Sequence, residues 1–281
     1  MTFAPLSKDL GIIIHQSDIP DLSKINVDVF IELLRTHGVL LFSGYDYNQD
    51  EVSAFIHGFG HTLGSLDVYT DRAVLEPHAE MAFLPSAFQP DVVWFYCLNP
   101  ASSGGQTTVC DGIKILNAMD EPTKRFLYTV PAQFNTKRSP PIWKKMFSVE
   151  TKEEAIFKFN NLADIENFKY RFDINDNLYC KYTVSQIVKS RLLNVDAFAN
   201  TILIAKEDRY GLIYADGSLN AGPSLEYLTH LTEEHTIQIE WKPREFVLID
   251  NTRVMHGRRA YTDPKRLLKA YHTLNLKQFH S

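Results

Sequence analysis

The residues most able to do chemistry lie in Glu76-Pro77-His78-Ala79-Glu80-Met81. On an extended chain, side chains at i and i+2 share a face, so His78 and Glu80 can both point into one cavity while Ala79 turns away. One imidazole and one carboxylate are two thirds of the facial triad that holds non-haem Fe(II) and leaves positions open for reactants. A second imidazole is required, and Asp250-Asn251-Thr252-Arg253-Val254-Met255-His256 supplies it just after an apolar run. His78, Glu80 and His256 are therefore the candidate catalytic and metal-binding residues. Downstream, Arg266 opens the last apolar run, where its planar guanidinium can pair in bidentate fashion with the far carboxylate of a dicarboxylic co-substrate. Thr107, on the stretch that follows Gly104-Gly105, can give its hydroxyl to the same carboxylate. Strand alternation lets only one of Thr107 and Thr108 face inward.

Those residues need elements to carry them. Asn26 followed by Val27, Phe30, Ile31 and Leu34 has the spacing of an amphipathic helix stopped by Gly38. Val39 to Phe42 reads as a strand, and Asn48 with Glu51 forms a capping box ahead of the stripe Val52, Phe55, Ile56 and Phe59. Val92 to Leu98 is an unbroken apolar run between Pro90 and Pro100, as expected of a strand buried on both faces. Trp94, Phe95 and Tyr96 within it are core residues on the simplest reading, one or two of them lining the pocket. Helix is expected again from about residue 113 to 127. The stretch from about residue 136 to 190 is charged and lacks a clean period, with Lys152 to Phe159 reading as helix and Phe168 to Tyr182 as a hairpin. It reads as an insertion that could cover the site as a lid. Thr236 to Trp241, Glu245 to Ile249 and Leu267 to Leu274 read as strands. Short strands with helices gathered toward the N-terminus argue for an α+β chain, a single domain over residues 1–281 built on a two-sheet jelly roll.

Taken together and in order, His78-Ala79-Glu80, Gly104-Gly105-Gln106-Thr107, Asp250-Asn251 with His256-Gly257-Arg258, and Pro264-Lys265-Arg266-Leu267-Leu268 resemble the taurine dioxygenase-like family of Fe(II)/2-oxoglutarate-dependent oxygenases. The matching pieces span roughly residues 78 to 274. The resemblance implies a double-stranded β-helix, iron held by His78, Glu80 and His256, and 2-oxoglutarate on the metal with its far carboxylate at Arg266 and Thr107. It also implies that 2-oxoglutarate and O2 are co-substrates, converted to succinate and CO2 with formation of an oxidant that takes hydrogen from an unactivated C–H bond. Hydroxylation is the usual outcome, and the same oxidant can desaturate, cyclise or epoxidise. Glu80 stands where many members carry Asp, and Glu followed by Met-Ala-Phe resembles a branch acting on amino acids or amino-acid-derived metabolites in specialised biosynthesis. Glu80 also fills the position that related halogenases leave small for halide. A second basic residue of the taurine enzyme corresponds here to Ala270, so taurine is disfavoured as substrate.

Composition narrows the remaining classes. A net charge of −5 gives no electrostatic footprint for a nucleic-acid backbone. The three cysteines, Cys97, Cys110 and Cys180, show no CxxC spacing, which favours a reducing cytoplasmic setting over a disulfide framework. No run of about 18 apolar residues suggests a membrane span. A small-molecule substrate is expected, free or tethered to an acidic carrier; Lys144, Lys145 and Lys152 could meet such a carrier or form a solvated face. His57 and His61 are spaced i, i+4 on an expected helix, but Gly58 stands where a metalloprotease would need Glu, so a solvated face is the better reading. Arg258 could guide a substrate carboxylate or buttress the turn after His256. Two readings from other classes compete: a non-catalytic jelly-roll binding protein, and a zinc hydrolase using the same triad.

Overall fold

The computed structural model describes residues 3–67, 72–205, 213–214 and 222–276. Two sheets face each other across an apolar interior. The major, seven-stranded sheet runs in the order Ala4–Pro5, Ile12–His15, Val39–Ser43, Phe246–Asp250, Val92–Asn99, Leu267–Leu276 and Gly60–Asp67. Its pairings are antiparallel except Ile12–His15 with Val39–Ser43. The minor sheet runs Thr236–Ile239, Thr107–Asp111, Val254–Arg258 and Leu75–His78. This is the jelly-roll core of an α+β chain.

The Val92–Asn99 strand shows why the run around it is apolar without alternation. Val93, Phe95 and Cys97 face the minor sheet with Leu41, Val109, Ile249 and Leu268, whereas Trp94 and Tyr96 face the opposite layer. That outer layer is supplied by the helices Val27–His37 and Gln49–His57, which bury Phe30, Ile31, Leu34, Val52 and Ile56. The second helix begins at the expected Asn48–Glu51 capping box. Phe30, Phe55, Phe59, Trp94 and Phe246 meet largely edge to face, the arrangement that their ring quadrupoles favour.

The charged stretch beyond residue 130 forms a third layer. Its sheet, ordered Ile213–Tyr214, Ala132–Arg138, Leu178–Val184 and Phe168–Phe172, carries the helices Pro140–Phe147 and Lys152–Asn160. Phe134, Trp143, Phe159, Phe168 and Tyr182 share one apolar cluster with Cys110 and Met255 from the outer face of the minor sheet and with Ala79, Ala82 and Phe83. The insertion is thus tied to the loop that carries Glu80. Among the described residues, no helix is long and apolar enough to cross a membrane.

Two expectations change in detail. The helix Gln49–His57 stops before Gly58, and His61 lies on the strand Gly60–Asp67, so His57 and His61 do not share a helix face. Gly60 explains the switch: a Cβ there would stand 2.7 Å from the Asn275 carbonyl of the adjoining strand. Glu80 does not extend the strand that ends at His78; it opens a turn in which Met81 adopts φ 58°.

Candidate active site

His78 ends the strand Leu75–His78, which pairs with Val254–Arg258 in a register that sets His78 opposite His256. The two rings lie 4.5 Å apart, centre to centre. Glu80 reaches the same point from its turn, with Oε2 at 3.6 Å from His78 Nε2 and 3.8 Å from His256 Nε2. All three ligand atoms lie within 4.8 Å of one another, and this is the metal-competent cluster found among the described residues. Donors at about 2.1 Å from one ion and about 90–110° apart lie about 3.0–3.4 Å from each other. Two imidazoles and a carboxylate are the donor types such an ion takes, and the Glu80 contacts at 3.6 and 3.8 Å lie within about 0.8 Å of that spacing.

The chain holds these groups by backbone and neighbouring side chains. His78 Nδ1 donates to the Glu76 carbonyl at 3.0 Å, which fixes the tautomer and leaves the Nε2 lone pair toward Glu80. Asn251 clamps the turn: its Oδ1 accepts from Glu80 N at 2.7 Å, and its Nδ2 donates to the carbonyls of Glu80 at 3.1 Å and Pro90 at 2.9 Å. Gly257 lets the strands close, because a Cβ there would stand 2.5 Å from the Leu75 carbonyl.

Burial alone would raise the Glu80 carboxyl, but proximity to the imidazoles of His78, His272 and His256 holds it well below the usual carboxylate range. Its side chain keeps 27% of its exposure. Burial, with the His78 imidazole acting in the same direction, pushes His256 down to about 3 against the pull of Glu80. His256 is thus a neutral imidazole near pH 7, as a metal ligand must be.

The opposite corner gathers the co-substrate candidates. Thr107 faces the interior beside Val109 and pairs across the ladder with Arg258, while Thr108 pairs with Gly257 and faces the other way. Trp241 Nε1 donates to Thr107 Oγ1 at 3.0 Å. Arg266, 3% exposed, donates from Nε to the Gly105 carbonyl at 3.0 Å. Gly105, at φ +71°, leaves only 2.8 Å between an imagined Cβ and that arginine side chain. The Tyr261 ring lies 5.1 Å from the Arg258 guanidinium and 4.9 Å from that of Arg266. Arg258 also donates to the Ala73 carbonyl at 3.0 Å, so it buttresses the segment leading to His78.

Two interior residues escaped the sequence reading. Leu268, Ala270 and His272 occupy the inner face of the last strand, with Ala270 opposite Phe95 and His272 opposite Val93. Phe95 in turn touches the His256 ring at 5.2 Å. His272 is 5% exposed and carries no protein hydrogen bond among the described residues. Trp241 is the other. Both lie in extended runs whose inward phase is set by long-range pairing, and only Thr107, already singled out, could have drawn attention to an indole in reach. Behind the Glu80 turn, a cavity of about 190 Å³ is lined by Ala79, Ala82 and Asn251 together with Tyr182, Val184 and Asn200 of the neighbouring layer.

No curated protein matches the chain in sequence. In structure it is similar to PvcB from Pseudomonas aeruginosa at a TM-score of 0.66 and 13% identity, over 96% of this chain and 87% of that one. It is likewise similar to AAD-2 in complex with Mn(II) and N-oxalylglycine at a TM-score of 0.65 and 16% identity, over 98% of both chains. A taurine dioxygenase from Burkholderia xenovorans gives 0.65 and 14%, over 98% of this chain and 90% of that one. The family model for taurine catabolism dioxygenase TauD, TfdA matches residues 2–151 and 202–271, leaving out much of the insertion. With that coverage, and with His78-x-Glu80 and His256 in the family's order, the chain belongs to the TauD, TfdA family, the taurine dioxygenase-like Fe(II)/2-oxoglutarate-dependent oxygenases.

Proposed function

We propose that the protein hydroxylates an unactivated C–H bond of a small polar substrate, an amino acid or a metabolite derived from one, with iron held by His78, Glu80 and His256. The observation that carries this reading is the convergence of those three ligand atoms within 4.8 Å on the inner side of the jelly roll, with Thr107 and Arg266 facing the same interior. When bound, Fe(II) with 2-oxoglutarate and O2 supplies the oxidising chemistry. The chain does the rest. Asn251 and the Glu76 carbonyl orient Glu80 and His78, Arg266 and Thr107 bind the far carboxylate of 2-oxoglutarate, and Phe95 and Val93 keep the interior dry beside the metal ligands. A zinc hydrolase has no use for a buried arginine and an inward threonine placed in this way, and a binding protein would take up no iron and consume no O2.

The substrate class rests on Glu80 in the ligand position and on the pocket wall. Ala270 puts no cation where a sulfonate would need one, and His272 offers a polar group lowered by burial below its ordinary pKa, hence neutral. PvcB, one of the similar structures, is described as an Fe, alpha-ketoglutarate dependent oxygenase from an isonitrile synthetic pathway, which agrees with a metabolite substrate. The insertion, packed on the Glu80 loop, serves as the cover of the site.

The test is anaerobic reconstitution with Fe(II) and 2-oxoglutarate, followed by the visible charge-transfer band of their chelate and then by succinate formation in air. Wild type should show both, and Glu80→Ala and His256→Ala should show neither. Unchanged co-substrate turnover in either variant removes the metal assignment; a folded, iron-loaded wild type with no band removes the functional reading. A screen that begins with amino acids then tests the substrate class.

A further inference from the structure

The bond between Trp241 and Thr107 has a direction that cannot be reversed. An indole nitrogen only donates, so Thr107 Oγ1 is the acceptor at 3.0 Å and its own proton must be given elsewhere. Thr107 is 3% exposed, and among the described residues its hydroxyl donates to no protein acceptor. A buried donor without an acceptor is costly, so such an arrangement persists where a ligand completes it.

The surroundings say what kind of ligand. Arg258 stands directly across the ladder from Thr107, and the guanidinium groups of Arg258 and Arg266 flank the same Tyr261 ring. Both arginines are buried, so the corner is cationic and shielded from water. An anionic oxygen meets the open Thr107 proton best.

We propose that Trp241 is a positioning residue: by occupying a lone pair of Thr107 Oγ1 it makes that hydroxyl a committed donor to the distal carboxylate of the 2-oxo acid. It thereby selects dicarboxylic 2-oxo acids over those that end in a methyl group. The inference rests on the functional reading above and adds a residue that is not in contact with the co-substrate. Trp241 lies two residues past Ile239, which ends the strand paired with Thr107, and packs against the same inner cluster as Ile239 and Val109.

The experiment titrates anaerobic Fe(II) protein with 2-oxoglutarate and with 2-oxovalerate, which has the same carbon count but no distal carboxylate. The charge-transfer band is followed, and calorimetry on Mn(II) protein gives an independent binding readout. Trp241→Phe keeps the ring and removes the donor. It should weaken 2-oxoglutarate about 3–10-fold, the range for one neutral hydrogen bond, and leave 2-oxovalerate and Mn(II) affinity unchanged. In a Thr107→Val background the same change should do nothing more, whereas Thr107→Ser, which keeps the hydroxyl, should preserve the dependence on Trp241. Equal weakening of both acids, additive losses in the double variant, or wild-type affinity in Trp241→Phe overturns the proposal while leaving the functional reading intact. A wild type that binds neither acid sinks both.

Discussion

The two ends of the site inside the jelly roll are built on opposite principles. Around Glu80 the backbone is pinned, with three hydrogen bonds from Asn251 alone, yet the side chains are electrostatically unfinished. Three imidazoles surround one carboxylate, His256 Nδ1 is buried without a partner, and His272 is unpartnered among the described residues. Around Arg266 the side chains themselves are fixed: Trp241 holds Thr107, the Gly105 carbonyl holds Arg266, and Tyr261 lies against two guanidinium groups. On the functional reading proposed above, a cation completes the first corner, and the second is preorganised for one shape of acid and loses little freedom when that acid arrives.

That contrast can be broken or sharpened by measurement. The largest effect belongs to the metal corner: His256→Ala should lower succinate formation by more than about 1,000-fold, or about 4 kcal/mol in barrier, and abolish Mn(II) binding by calorimetry. Retained Mn(II) binding would mean that the ion sits elsewhere. Next, Arg266→Ala should weaken 2-oxoglutarate by about 100-fold, as expected for a buried charge-assisted pair, with Mn(II) affinity unchanged; a parallel loss of metal would merge the two corners into one unit. Asn251→Ala should destabilise the metal-free protein by about 2–3 kcal/mol in urea titrations, from the loss of buried hydrogen bonds, and reduce metal affinity by about 10-fold. Gly105→Ala should cost about 1–2 kcal/mol because of its left-handed backbone, and should weaken 2-oxoglutarate without touching the metal.

The pH dependence of the metal-free fold is a separate measurement, made on the wild type without ligand. His256 has a folded pKa of about 3 against an ordinary value of 6.5, so between those values the unfolded chain binds the extra proton. Burial lowers His272 in the same direction. Stability should therefore be present above about pH 6.5 and fall as the solution is acidified toward 3, with a shallower slope in His272→Gln. A flat profile in wild type would show that the imidazoles are not neutral by burial.

Much of the scaffold was readable because local patterns and the fold agree. Asn48 and Glu51 cap the second helix as their spacing demands, and the run around Trp94 is apolar throughout because both of its faces are covered. Arg266, Thr107, His78 and His256 face one interior, since each lies on or next to the end of a strand whose phase is fixed by a buried neighbour. Glu80 reaches the site by a turn, which strand alternation could not foresee because the turn depends on Asn251, far away in sequence. His61 was misplaced for a similar reason: the helical stripe ends, and pairing with the last strand takes over. Trp241 and His272 were invisible as site residues because only the register of distant strands turns them inward.

The three tryptophans of the chain fall one to a region. Trp94 lies behind the major sheet among phenylalanines, Trp143 lies in the core of the insertion, and Trp241 touches Thr107. The protein thus carries its own set of optical reporters. Variants that keep a single indole would emit separately from the scaffold, the insertion and the neighbourhood of Thr107, and unfolding or ligand addition could be followed in each region without attaching a dye.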